Sequence, residues 1–267
     1  MTLLNIIIIS IVQGLTEFLP VSSSGHLVLI PKLINLPDQG LIMDLAVHIG
    51  TLMAVLVYYR RDVWSIGMSI LCWKDERRAS SRKLGIYILL ATIPAVIIGL
   101  VMHILIPDGI RDLRIITITT IFFGLLMGVA DKYSSHDKDF SKVTLKSALI
   151  VGIAQVLAFI PGTSRSGITI TAGRFLGFNR VDAARFSFLL SIPATAGAGL
   201  LGVIDVIKAG DLQMGADMLT AIVISFLAGL LAIEIMIRWL GKFGLMPFVI
   251  YRLILGAILI GSLVIVF

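Results

Sequence analysis

The stretch VQGLTEFLPVSSSGH (Val12–His26) begins as an apolar run. It then places a carboxylate, a proline, three serines, a glycine and a histidine where lipid-facing side chains belong. It has a counterpart, AQVLAFIPGTSRSGI (Ala154–Ile168), which lies 142 residues downstream and aligns without a gap. Gln13 meets Gln155, Leu15 meets Leu157, Ser22 meets Ser164, Ser24 meets Ser166 and Gly25 meets Gly167. The match is short, but each copy is followed by three candidate membrane helices, so the two are read as halves of an internal repeat.

Composition sets the same frame. Of the 267 residues, 58% are hydrophobic and 14% charged, against about 25% charged in ordinary soluble domains. Mean hydropathy is +1.03. The chain therefore reads as one integral membrane domain spanning 1–267. A lone cysteine, Cys72, excludes an internal disulfide and a cysteine-rich metal site. The formal net charge of +6 reads as a membrane-orientation signal, and no nucleic-acid partner is expected. The N-terminal MTLLNIIIIS lacks the basic start and small-residue cleavage site of a signal peptide.

Six stretches are candidate membrane helices: 41–59, 84–106, 115–130, 186–207, 218–237 and 247–267. Segments 1–36 and 146–178 each start apolar, break at a Pro/Ser/Gly cluster and resume apolar. If each is a re-entrant hairpin, every half has three crossings and the halves are inverted. With the basic 60–83 loop in the cytoplasm, most Lys and Arg then share that face. Lys32, Arg111, Arg114 and Lys208 are left opposite. Full crossings by both segments would weaken the bias to about 12 against 8, so the positive-inside rule favours hairpins. Against this, residues 1–19 as a helix would reach about 29 Å, enough to cross. The expected fold is an all-α polytopic membrane protein with an inverted-topology repeat (1–131 and 146–267). Each half is a re-entrant helical hairpin plus three transmembrane helices. Hairpin tips entering from opposite faces can meet near the midplane, where irregular backbone survives only inside protein or beside a wet cavity.

The tips carry the chemistry. Gln13 and Glu17 are four apart and share a helix face. A carboxylate at membrane depth points to a functional site, the alternative being an interfacial Glu17 that meets water. His26 beside a carboxylate and the serines Ser22, Ser23 and Ser24 suits proton transfer. In the second tip Pro161 and Gly162 break the helix. Ser164, Arg165, Ser166 and Thr169 then bring donors to a new helix N-terminus, which with the guanidinium makes a phosphate cradle. An anion holder, a hydroxyl nucleophile, an acid/base and a carboxylate together form an inventory for phosphoryl transfer, here on a lipid-borne phosphate.

At these residues the chain resembles the membrane undecaprenyl-diphosphate phosphatases, also called bacitracin-resistance proteins. Gln13 and Glu17 match a (Glu/Gln)-x-x-x-Glu motif, Ser22 to His26 a Ser-Ser-x-Gly-His turn, and Pro161 to Thr169 match Pro-Gly-x-Ser-Arg-Ser-x-x-Thr throughout. The likeness extends to AVHIGTLMAV and the C-terminal PFVIYRLILG. The resemblance implies hydrolysis of undecaprenyl diphosphate to the monophosphate carrier of cell-wall synthesis. It implies a multi-pass protein of the bacterial cytoplasmic (inner) membrane, an inverted-repeat fold, and a divalent cation, Mg2+ or Ca2+. A homodimer is compatible with it. On this reading Arg165, with Ser164, Ser166, Gly167 and Thr169, holds the diphosphate. Ser23 is the nucleophile by position, with Ser22, Ser24 or an activated water as the competing choices. His26 is the general acid/base. Glu17 binds the metal or positions His26, and Gln13, Ser22, Ser24, Thr169 and His48 support the site. The competing function is a transporter or flippase of polyprenyl phosphate, which needs the cradle but not Ser23 with His26. An intramembrane serine protease would leave Arg165 without a use.

Other residues are read more plainly. Asp44 and His48 share a face and either support the site or pair with each other. Arg252 is read as snorkelling rather than catalytic. Glu234 and Arg238 form an ordinary helix pair. Asp131–Lys142 is a mixed-charge loop, and the glycines of Ala194–Gly202 favour close helix packing.

Overall fold

A computed structural model describes residues 2–23, 25–27, 40–106, 110, 112–135, 137–209 and 215–266. Ten α-helices account for most of the described residues. They are α1 (Leu3–Phe18), α2 (Gly40–Tyr58), α3 (Arg60–Leu71), α4 (Ala79–Leu105), α5 (Leu113–Tyr133), α6 (Leu145–Val156), α7 (Arg165–Phe175), α8 (Arg180–Ala209), α9 (Ala216–Leu240) and α10 (Met246–Val266). Among the described residues, α4, α5, α8, α9 and α10 are long and apolar enough to cross a membrane. The α2–α3 pair, bent by 80°, makes a sixth candidate. Pro94 in α4 and Pro193 in α8 sit inside helices, as membrane helices tolerate when neighbours satisfy the freed carbonyls.

All six expected helices appear with shifted ends. The expected 115–130 helix is α5, with 21 residues. Residues 60–71, read as part of a basic loop, instead form helix α3. The chain turns sharply at Tyr59, and Arg60 and Arg61 open the new helix. The N-terminal segment ends its first helix at Phe18. Its 16 residues reach only about 24 Å at 1.5 Å per residue, short of a hydrocarbon core of about 30 Å.

Helix starts are capped locally. Thr2 caps α1 and Thr144 caps α6 with a reciprocal bond to Ser147. The chain leaves α5 past Lys138 and returns at Gly177 to Asn179. The Lys138 amide donates to Gly177 O (3.1 Å) and the Asn179 amide donates to Lys138 O (2.9 Å). Segment 139–176 is therefore a closed excursion that ends where it began.

Helix α1 lies on α9, and α6 lies on α4; α2 meets α8, and α5 meets α10. Small residues set these distances. A Cβ on Gly14 would stand 2.5 Å from Ala228 Cβ, and one on Gly152 2.1 Å from Ala91 O. In the Ala194–Gly202 stretch only Gly202 meets a neighbour, Leu45, whereas Gly197 and Gly199 face open space. The expectation of close packing there holds for one glycine of three. Phe18, Phe188, Leu189, Ile170 and Met236 form the buried centre, with Phe18 edge-on to Phe188 at 5.5 Å.

Ion pairs gather at the end where α3 begins. Asp62 binds Arg185 (2.5 Å), and Asp131 binds Arg180 (2.6 Å), Arg174 (3.4 Å) and the Leu245 amide (3.0 Å). Asp131, read as part of a loop, is instead a buried residue in the last turn of α5. At the opposite end His103 lies 3.6 Å from Asp205. Arg238 pairs with Glu234 as expected, and the same carboxylate accepts from Tyr58 (2.7 Å).

Candidate active site

Both helix breaks are built the same way. Ser22 and Ser164 are the two non-glycine residues with positive φ among those described, at 73° and 70°. L-residues rarely hold this left-handed conformation. Each serine recovers stability by capping the helix that follows. Ser22 Oγ accepts from Gly25 N (3.4 Å), and Ser164 Oγ accepts from Gly167 N (3.2 Å). The Ser22 carbonyl then accepts from His26 N (3.3 Å), as the Ser164 carbonyl does from Ile168 N (2.9 Å).

The two tips touch. Arg165 Nη2 donates to Glu17 Oε1 at 2.6 Å, between side chains 15% and 11% exposed. The other carboxylate oxygen, Oε2, accepts from Gln13 Nε2 (2.9 Å) and from Ser23 Oγ (3.1 Å). Ser166 Oγ crosses from the second tip to the Leu19 carbonyl of the first (3.0 Å). Gln13, Glu17, Ser23, Arg165 and Ser166 are thus brought together, from segments about 150 residues apart. A guanidinium sits beside a hydroxyl whose proton already points at a carboxylate, which is the juxtaposition that phosphoryl transfer uses.

Other expected residues take different places. Ser164 spends its hydroxyl on Gly167 N and lies 3.3 Å from Ser166 Oγ. Gly167 leaves room, since a Cβ there would come within 3.1 Å of Arg252 Nη1. Thr169 bonds Ser187 Oγ (2.6 Å) and Arg165 O (2.8 Å), which ties α7 to α8 beneath Arg165. His48 bonds the backbone carbonyl of Asp44 (2.7 Å), and its ring is within electrostatic reach of Glu17. Ser24 lies outside the described residues.

Two expectations need correction. Glu17 does not position His26. The Nδ1 atom of His26 bonds Ser22 O (2.7 Å) and its Nε2 bonds Tyr251 Oη (2.5 Å), while both oxygens of Glu17 are engaged by Arg165, Gln13 and Ser23. Arg252 does not snorkel. It is fully buried and donates to four carbonyls, Gly162 (2.8 Å), Thr163 (2.9 Å), Thr120 (3.1 Å) and Thr119 (3.3 Å). A fully buried guanidinium that donates to two carbonyls of the second tip and two of α5 holds the tip against that helix. Its intramembrane charge was the signal that could have found it. Tyr251 lies within the PFVIYRLILG likeness, where its role is not legible, and nothing in the sequence marks Ser187.

Among the described residues no group of three or more His, Cys, Asp or Glu could hold a metal ion. The donors present fit a different kind of site. Glu17 offers a carboxylate, and the buried Gln13 Oε1 has no hydrogen-bond partner. Mg2+ is commonly held by one or two carboxylates together with substrate phosphates rather than by an all-protein cage.

Fold and cluster together define a multi-span membrane protein with a charged, hydroxyl-bearing site buried between two helix breaks. The family described as "Bacitracin resistance protein BacA" matches residues 6–258, and the chain belongs to that family. The chain is similar to the undecaprenyl-diphosphatase of Alteromonas mediterranea, at 47% identity over 264 residues covering 97% of this chain and 98% of the relative. Identity to the undecaprenyl-diphosphatase of Alcanivorax borkumensis is 46% over 255 residues, 95% and 96% of the two chains. For that of Hahella chejuensis it is 45% over 258 residues, 96% and 97%.

Proposed function

We propose that the protein is a phosphatase of the bacterial cytoplasmic membrane that hydrolyses undecaprenyl diphosphate to undecaprenyl phosphate and phosphate, recycling the lipid carrier for cell-wall synthesis. The observation that carries this reading is the Arg165–Glu17–Ser23 contact between the two tips. Arg165, with the α7 N-terminus behind it, binds the terminal phosphoryl group and offsets the charge that develops on it. Ser23 Oγ passes its proton to Glu17 Oε2 and attacks the terminal phosphorus. A new P–O bond forms to Ser23, the bridging P–O bond breaks, and the lipid monophosphate leaves. Water then attacks the phosphoserine phosphorus, giving its proton to His26 Nε2 in exchange for the Tyr251 hydrogen bond; the P–Oγ bond breaks, Glu17 returns its proton to Ser23 Oγ, and inorganic phosphate leaves. Glu17 and Gln13 Oε1 would hold a divalent cation, which would supply charge neutralisation at the phosphoryl group. A carrier would need the cradle but has no use for a serine hydroxyl aligned on a carboxylate.

The fold behind the site is read as two inverted repeats, 1–131 and 146–267, with 1–36 and 146–178 re-entrant. Several features support this. Helices start at Leu3 and Leu145 after threonine caps, the two serines match in backbone, and α1 on α9 mirrors α6 on α4. Residues 28–36 lie outside the described residues.

Phosphate release by purified protein from undecaprenyl diphosphate in detergent tests the function. Release should collapse in Ser23→Ala, His26→Ala and Arg165→Ala, and on chelation. Well-folded wild type that binds the lipid without releasing phosphate would sink the enzyme and leave the carrier. Survival of activity in Ser23→Ala alone would replace the serine by an activated water.

A further inference from the structure

Two adjacent residues of α10 reach the two tips. Arg252 holds the carbonyls of Gly162 and Thr163 in the second, and Tyr251 meets His26 in the first. The His26 contact fixes more than position. Ser22 O can only accept, so Nδ1 of His26 carries the proton. In the neutral ring Nε2 is then the lone-pair nitrogen, and Tyr251 Oη donates to it at 2.5 Å. Free imidazole has two tautomers, and the bond at one nitrogen decides the state of the other. The rings also lie nearly parallel, at 12° with centroids 5.7 Å apart, so the phenol constrains ring orientation as well as protonation.

We propose that Tyr251 is a positioning residue for the phosphatase reaction. It steadies the His26 ring, whose Nδ1 proton Ser22 O fixes, by holding the Nε2 lone pair on the phenol hydroxyl until an incoming proton displaces that bond, and the neighbouring Arg252 keeps that helix turn in register with the phosphate-binding tip. This rests on the phosphatase reading above. It goes beyond that reading by placing a tyrosine of the last helix behind the histidine of the first tip. Their separation of 225 residues in sequence hides the link from motif inspection.

Tyr251→Phe keeps the ring and its stacking but removes the donor. Positioned acid–base groups contribute about 10²–10⁴-fold to rate, and loss of the residue that orients one should remove about tenfold of that from kcat. KM should stay within about twofold, because the phenol does not touch the cradle. Arg252→Lys should instead raise KM, since it loosens the tip that holds phosphate. A purely structural role for Tyr251 would lower the yield of folded protein without this division between kcat and KM. The 15N spectrum of His26, assigned by comparison with His26→Gln in the isotopically labelled full chain, gives a readout that needs no turnover. Wild type should show Nε2 unprotonated and hydrogen-bonded near neutral pH, and Tyr251→Phe should shift that resonance. Full kcat in Tyr251→Phe together with an unmoved Nε2 resonance would overturn the inference while the wild type still released phosphate. Failure of the wild type to release phosphate would instead overturn the phosphatase reading, and the 15N result would still decide the contact.

Discussion

Gly14 carries no chemistry, yet Gly14→Ala should nearly silence the protein. The substituted Cβ would stand 2.5 Å from Ala228 Cβ, 2.7 Å from Ser225 O and 3.0 Å from Gly229 N. Ordinary carbon–carbon contact lies at about 3.5–4.0 Å, so α1 has to retreat from α9 by about 1 Å. Glu17 lies one turn further along the same helix. Its 2.6 Å bond to Arg165 would lengthen to about 3.6 Å, outside hydrogen-bonding range. A displacement of about 1 Å at a reacting centre is worth about 100-fold in rate. Overpacking costs about 1–3 kcal/mol, while alanine returns about 1 kcal/mol of helix propensity, so the protein should fold with only a modest fall in thermal midpoint. Initial rates of phosphate release, set beside thermal unfolding in the same detergent, separate the two effects. Ala228→Gly in the same chain should recover part of the rate, because it removes the nearest clash and leaves Ser225 O. Wild-type kcat/KM in Gly14→Ala would refute the claim that α1–α9 spacing sets the distance between the tips.

Four other outcomes follow from the structure. Glu17→Gln removes the negative charge that pairs with Arg165 and the base that takes the Ser23 proton and should lower kcat/KM by about 100-fold or more, read by phosphate release. Asp131→Asn strips the carboxylate shared by the buried Arg174 and by Arg180. Breaking a buried pair costs about 3–5 kcal/mol, which should appear as a large drop in the thermal midpoint even though the tips are untouched. Gly197→Ala, where nothing lies within 4 Å, should leave activity unchanged and stability equal or slightly higher by the same unfolding assay. Chelation should abolish phosphate release and added Mg2+ or Ca2+ should restore it; full activity in chelator would remove the cation from the proposal.

The membrane helices were legible because apolar length is a local property, and α4, α5, α8, α9 and α10 needed no knowledge of their neighbours. The serine tips were legible too, since a Pro/Gly break followed by hydroxyls and glycine describes a capped restart whatever surrounds it. What stayed hidden depends on contacts across the fold. Helix α3 opens with two arginines and reads as loop until the turn at Tyr59 is seen. The sequence offers Glu17 a cation or the nearby His26 as partner, but in the fold it pairs with Arg165, 148 residues away. Arg252 looked like a lipid-facing charge because the four carbonyls that saturate it come from α5 and the second tip.

The ion pair between Glu17 and Arg165 leaves the proposed phosphate holder already engaged by the protein's own carboxylate. An arriving headgroup has to win the guanidinium by exchange rather than occupy an idle one. A diphosphate carries more negative charge than its product, so it competes better for that position. On the proposed mechanism Glu17 gives its proton back to Ser23 when the phosphoserine is hydrolysed and then reclaims Arg165, which helps expel inorganic phosphate. On that proposal the resting contact acts as a threshold that favours entry of the diphosphate and departure of the released phosphate.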